Sequence, residues 1–236
     1  MTAYRNFIQD FPNRCIELLD MHFEQARAND REVTLMLAIA TTAFVIPFER
    51  LRPPPETHPA NDVEKYKRAK QKFDKAINSH FLQSHQWGQG KSWKIIAAVD
   101  GADIRERQID YWTRLEIRKP LSNNMLANAV FSHLRNALAH GSIFTFPSYA
   151  GSNASPQIDT MVFLSRCREE QEIEKCGKKV KEKVPVDRYD ILLVSPNDFH
   201  TFLKKWVAFL QSLDLVTTVT QHSILELSND DNGDRQ

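Results

Sequence analysis

Apolar residues open the chain with a helical rhythm. Leu18, Leu19 and Phe23 fall on the inward side of a helix expected from about Pro12 to Ala28, with the proline acceptable in its first turn. Asp30 is placed to cap a second helix carrying Val33, Leu37, Ala40 and Phe44. The apolar stretch Val33 to Phe48 contains Thr34, Thr41 and Thr42 and is shorter than the ~20 residues a bilayer span needs, so it reads as a core helix. Pro53, Pro54 and Pro55 open a loop to about Asn61. A charged helix follows from Asp62 to about Leu82, with Val63, Tyr66, Ala69, Phe73 and Ile77 as its inner stripe.

Residues 83–120 hold Trp87, Trp93 and Trp112, an apolar run from Ile95 to Val99, and a short helix expected from Ala102 to Ile117. A stronger helix spans Leu121 to His140. Leu126, Val130, Leu134 and Leu138 lie on one side of it, beside Ala127 and Phe131. After Gly141 the pattern turns β-branched and aromatic. Ser142 to Phe146, Ile158 to Ser165 and Tyr189 to Val194 read as strands, with a charged connection between the last two. Ser195 and Pro196 begin a final helix through Phe199, Leu203, Trp206 and Leu210 to about Leu213. The expected fold is mainly α: a single domain over 1–213 with a β-strand insertion at about 142–194, then a polar, disordered tail at 214–236.

Composition narrows the chemistry. With 42% hydrophobic residues in 236, a real core can form, and a net charge of +1 leaves any nucleic-acid contact to local basic patches. Cys15, Cys167 and Cys176 make an odd set without a C-x-x-C pair, so neither a disulfide framework nor a metal site is expected. The N-terminus shows no basic start leading into an apolar run. Cytoplasmic residence without membrane attachment or cofactor is the expectation.

The candidate chemistry sits in L-R-N-A-L-A-H-G, Leu134 to Gly141. Arg135 offers fixed donors to phosphate oxygens, and His140 can move protons near neutral pH. Asn136 lies four residues before His140 and shares its side of the helix, where it can orient the imidazole. A second Arg-to-His spacing, Arg52 to His58, falls among prolines that forbid a helix and carries no such site. The face opposite Leu134 holds Met125, Asn128, Ala129, Ser132, His133, Asn136, Ala139 and His140, small or neutral polar residues suited to meeting a second copy. Ser132 and His133 are placed there as supporting residues.

The segment F-S-H-L-R-N-A-L-A-H-G, Phe131 to Gly141, resembles the signature of HEPN domains. That resemblance implies a small helical bundle that dimerises and cuts RNA without a metal, in toxin or antiviral roles, with an antitoxin protein as a further partner. It is similar in layout to plasmid-borne bacterial members. Where HEPN toxins silenced by a nucleotidyltransferase carry tyrosine two places after the histidine, this chain has Ser142.

Other readings stay open. An imidazolium at a helix C-terminus complements the dipole, and an arginine one turn earlier can simply be a surface residue. A non-catalytic HEPN-like module binding RNA or protein is the alternative. Lys175, Lys178, Lys179 and Lys181, on the charged connection, could track an RNA backbone or form a solvated hairpin tip. Gly88 to Ser92 looks like the end of a phosphate-binding loop, but His85 replaces its first glycine and no strand leads into it.

Overall fold

A computed structural model describes residues 6–54, 57, 63–84, 86–87, 92–106, 119–120, 124–147, 158–175 and 178–215. The side-chain oxygen of Asn6 accepts the Ile8 N–H and starts α1, Phe7–Ala28, earlier than the Pro12 start expected. Its buried stripe runs through Ile8, Cys15, Leu19 and Phe23, spaced by seven, four and four, which leaves Leu18 on the wet side at 51% exposure. Asp30 does not cap the second helix. It takes a positive φ of 54° in the turn, and α2, Glu32–Ala40, begins after Arg31 without a side-chain cap.

α2 continues through a π-helical turn, Thr41–Val45, into α3, Ile46–Leu51. These 20 residues are apolar enough to cross a bilayer, but half are buried within the fold, where Val33, Met36, Ile39, Phe44 and Phe48 belong to the core. Inside the π turn the Ala43 carbonyl accepts the Trp206 indole N–H at 2.9 Å, a tie between the π turn and the last helix of the bundle. α4, Val63–Ile77, buries Tyr66, Ala69, Phe73 and Ile77 as its periodicity predicts, whereas Val63 at the helix start is exposed.

β1, Lys94–Asp100, leads into α5, Gly101–Glu106, and the two-residue β2, Lys119–Pro120. α6, Ala127–His140, carries the Arg-Asn-x-x-x-His segment. Then come β3, Ile143–Pro147, β4, Ile158–Lys175, β5, Lys178–Val194, and α7, Pro196–Ser212, capped by Ser195 as expected. α6 buries Val130, Leu134 and Leu138 but not Leu126, which is extended, pairs with His80 and lies outside the helix. Phe131 on its inner side meets Phe44, Trp87 and Trp206 edge-on at 5.5, 4.9 and 5.5 Å, joining three helical segments and the Trp87 turn in one aromatic core.

The expected mainly α fold with an inserted β segment is corrected by the sheet. Five strands pair antiparallel in the order β2-β1-β5-β4-β3, so β1 and β2, from before α6, flank strands that come after it. The architecture is mixed α/β. Met161, Phe163, Leu192 and Val194 face the bundle, while Val162, Leu164, Ile191 and Leu193 join Ile96 and Val99 in a second core on the far side of the sheet. A sheet apolar on both faces is a structural layer and not an appendage.

The charged connection is itself strand. Beyond Arg166, β4 and β5 continue as a two-stranded arm, paired from Arg168↔Pro185 to Lys175↔Lys178, in which Glu170, Glu172 and Glu174 stand opposite Lys183, Lys181 and Lys179. Several expected features lie outside the described residues: the loop from Pro55 to Asn61, apart from Thr57; His85 and Gly88 to Lys91; Trp112 and the remainder of the helix expected to Ile117; Leu121 to Asn123; Cys176; the tail from residue 216; and the side chains of Lys175 and Lys178.

Candidate functional site at the end of helix α6

α6 crosses β4 and β5 where their bundle-facing rows change from apolar to polar. Phe163 and Leu192 are a buried cross-strand pair, and one step further along the same face the paired residues are Ser165 and Asp190. Each of these two polar side chains meets a side chain of α6. Asn136 Nδ2 donates to Ser165 Oγ at 3.1 Å, and His133 Nε2 lies 3.6 Å from Asp190 Oδ2. The helical spacing of three puts His133 and Asn136 on one face, and His140 continues that line four residues later.

Asn136 therefore does not hold an imidazole. Its Oδ1 accepts from Arg135 Nη1 at 2.9 Å, so it links the guanidinium to the sheet. Arg135 is also engaged from the bundle side: Nε stands 2.6 Å from Glu49 Oε1 of α3, a charge pair whose N–H is not aligned on the oxygen. Both of these atoms are sealed from water although the side chains are 28% and 40% exposed. The arginine is thus held at two nitrogens, and neither contact uses Nη2.

His140 is exposed in the last turn of α6. Gly141 ends the helix with φ of 66°, the left-handed conformation that glycine adopts without a Cβ penalty, and the Ser142 N–H returns to the Ala137 carbonyl at 2.9 Å. Ser132 and His133 are partly buried; Asn128, Ala129 and Ala139 on the same side of the helix are exposed. Burial pushes the His133 imidazole below its ordinary value, against the opposing pull of the Asp190 carboxylate. Asp190 is itself anchored: its Oδ1 accepts the N–H of Ala98, which adopts a positive φ of 54° in the bulge of β1 between Ile96 and Val99. Burial first, with Asp190 alongside, pushes the Cys167 thiol up, away from thiolate reactivity.

The lysine arm offers little net cation. Lys179 Nζ is 3.3 Å from Glu172 Oε2, and Lys181 stands opposite that same glutamate in the strand register. Two clefts lie elsewhere, one of about 570 Å³ between α1 and α2 beside His22, Gln25 and Leu35, the other of about 220 Å³ beside Arg27, Glu32 and Asp159. No residue of the Arg135–His140 segment lines either. Among the described residues no three His, Cys, Asp or Glu side chains converge as metal ligands.

Glu49, Ser165 and Asp190 were not legible as site residues. Ser165 and Asp190 leave one trace in the sequence, since each interrupts an apolar strand run, M-V-F-L-S and D-I-L-L-V. Nothing local ties Glu49 to Arg135, 86 positions away in sequence.

The class is set by a helical bundle whose motif helix packs on a sheet and ends in Arg-Asn-x-x-x-His-Gly. The family model described as HEPN pEK499 p136 matches residues 1–214, nearly the whole of this span of structure, and the chain belongs to that HEPN family. No curated protein and no solved structure matches the chain.

Proposed function

We propose that the protein is a metal-independent endoribonuclease of the HEPN type, acting as a cytoplasmic homodimer in toxin or phage-defence biology. The observation that carries this reading is that Arg135 and His140 both reach solvent near the end of α6, with the guanidinium oriented by Asn136. His140 takes the proton of a ribose 2′-hydroxyl, whose oxygen then attacks the adjacent phosphorus. Arg135 stabilises the charge that builds on the phosphate oxygens in the pentavalent state. The P–O5′ bond breaks, a protonated histidine supplies the leaving oxygen with its proton, and the products end in a 2′,3′-cyclic phosphate and a 5′-hydroxyl. DNA lacks the attacking hydroxyl and resists. A second copy, meeting the first over Asn128, Ala129, Ala139 and His140, supplies the second acid–base group in a shared cleft.

Incubation of the purified protein with mixed RNAs in EDTA tests the reading. Cleavage with 2′,3′-cyclic ends is expected, with Arg135→Ala and His140→Ala each lowering it at least a hundredfold at unchanged thermal midpoint. Full cleavage by either variant would sink the assignment. The contact between Arg135 and Glu49 favours a second reading, a non-catalytic module that binds RNA or a protein partner such as an antitoxin, because the cation is already paired. Under that reading the wild type binds RNA and cuts none.

A further inference from the structure

We infer that Glu49 is the built-in counter-ion of the RNA site: it positions Arg135 and competes with RNA phosphate for its guanidinium. The inference rests on the RNA-binding part of the reading above. A carboxylate and a phosphate present a guanidinium with the same kind of acceptor, two or more charged oxygens that fit its planar fork. Glu49 occupies the Nε side of that fork, and the contacting Nε and Oε1 atoms are both removed from water. Asn136, fixed in turn by Ser165, occupies Nη1. An arginine side chain carries large rotamer freedom when unheld. Clamped between α3 and β4, it meets an incoming phosphate already ordered.

The same clamp weakens the field. An Arg–Glu pair has no net charge, so a phosphate approaching Arg135 either displaces Glu49 or shares the cation with it. The placement of Glu49 depends on the helix before it. Phe48 and Leu51 of α3 are fully buried, and the π turn at Thr41–Val45 sets the rotation at which α3 enters the core. Each residue turns a helix by ~100°, so a different number of residues in that turn would carry Glu49 off the side of α3 that faces α6.

The test is affinity, not cleavage, measured with an uncleavable 2′-O-methyl RNA oligonucleotide on the full chain. Glu49→Gln keeps an oxygen acceptor for Arg135 and removes the charge. It should bind about three- to tenfold tighter than wild type, with a salt dependence steeper by roughly 0.7 in log K against log salt, as one more uncompensated cation requires. Arg135→Ala should weaken binding, and Glu49→Gln combined with Arg135→Ala should match Arg135→Ala alone. Unchanged or weaker binding by Glu49→Gln, while Arg135→Ala still loses affinity, overturns the role of Glu49 and leaves Arg135 as the phosphate ligand. Equal binding by wild type and Arg135→Ala overturns both. A tightening by Glu49→Gln that persists without Arg135 also overturns the inference, since the charge then acts elsewhere. The wild type gives an independent check through the side-chain Nε–H resonance of Arg135, which should be protected from exchange and should move when the oligonucleotide is added. A solvent-like, unprotected signal in the free protein overturns the clamp.

Discussion

His133 and His200 both stand beside carboxylates, Asp190 and Asp20, yet for both the larger influence is burial, which pushes the imidazole below its ordinary 6.5. Lys204 pushes His200 the same way, while the neighbouring acids Asp20 and Glu24 oppose. The unfolded chain takes up protons near pH 6.5 that the folded chain resists, so this contribution to stability is complete above that pH and is lost as pH falls through the depressed folded values. The urea midpoint should accordingly be lower at pH 5 than at pH 7.5, and the fall should be smaller in a His133→Gln, His200→Gln double variant. An identical fall would assign acid sensitivity to carboxylates alone. Ser165 gives a second measurement at this scale. Its buried hydroxyl is the anchor of Asn136, and Ser165→Ala should cost about 1 kcal/mol in chemical denaturation. It should also loosen Arg135, seen as faster exchange of its Nε–H.

Among the elements, α7 is the one that sequence periodicity reads best, with its Ser195 cap and Phe199, Leu203, Trp206 and Leu210 all buried. In α6, which starts later than expected and leaves Leu126 out, Val130, Leu134 and Leu138 point into the core, and Gly141 stops the helix as a left-handed cap. A Cβ at Gly141 would meet nothing within 4 Å, so Gly141→Ala isolates the backbone cost of its φ of 66°. About 1 kcal/mol of destabilisation is expected, measured as a lowered thermal midpoint. The arm of β4 and β5 is read worst. From Arg168 to Pro185 no described side chain is buried, so the residues alternate between two wet faces and give no inside–outside signal. What makes it strand is the ladder between adjacent chain segments, with Glu and Lys rows opposed across it. Replacing residues 170–183 by a two-residue turn should leave the thermal midpoint within a few degrees of wild type, because no core area is lost. A large drop would show the arm to be packed against something in solution.

For the whole molecule, the bundle and the cores of β3, β4 and β5 were visible in the sequence, and the joining of β1 and β2 to them in one sheet was not. Helical stripes are local patterns, whereas β1 finds its neighbour β5 only after about ninety intervening residues, and nothing in the run Ile95 to Val99 names that partner. The same limit applies to the site: Arg135, Asn136 and His140 announce themselves through spacing on one helix, while Glu49, Ser165 and Asp190 arrive from three other elements. A homodimer through the exposed side of α6 is the expectation at this scale. Ala129→Arg should convert the species seen by light scattering to monomer and depress cleavage in step. Excess Arg135→Ala chains mixed with wild type should lower specific activity below the wild-type fraction, whereas strict proportionality after verified subunit exchange would show that each chain cuts alone.

The two ends of the described chain are stitched together. Asn6 Nδ2 donates to the Leu215 carbonyl at 3.0 Å, Gln9 Nε2 donates to the Leu210 and Leu213 carbonyls, and Gln211 Nε2 donates to the Gln9 carbonyl at 2.7 Å. Gln9 is almost wholly buried, so until α7 exists its amide has no partner and α1 has no settled place. On a ribosome adding ~5–20 residues per second, the first helix waits many seconds for the last. The protein cannot close its core, or present α6 on a finished scaffold, before α7 has emerged. For the ribonuclease proposed above, a nascent chain without α7 would lack the finished scaffold that presents Arg135 and His140, so the message being translated would be spared.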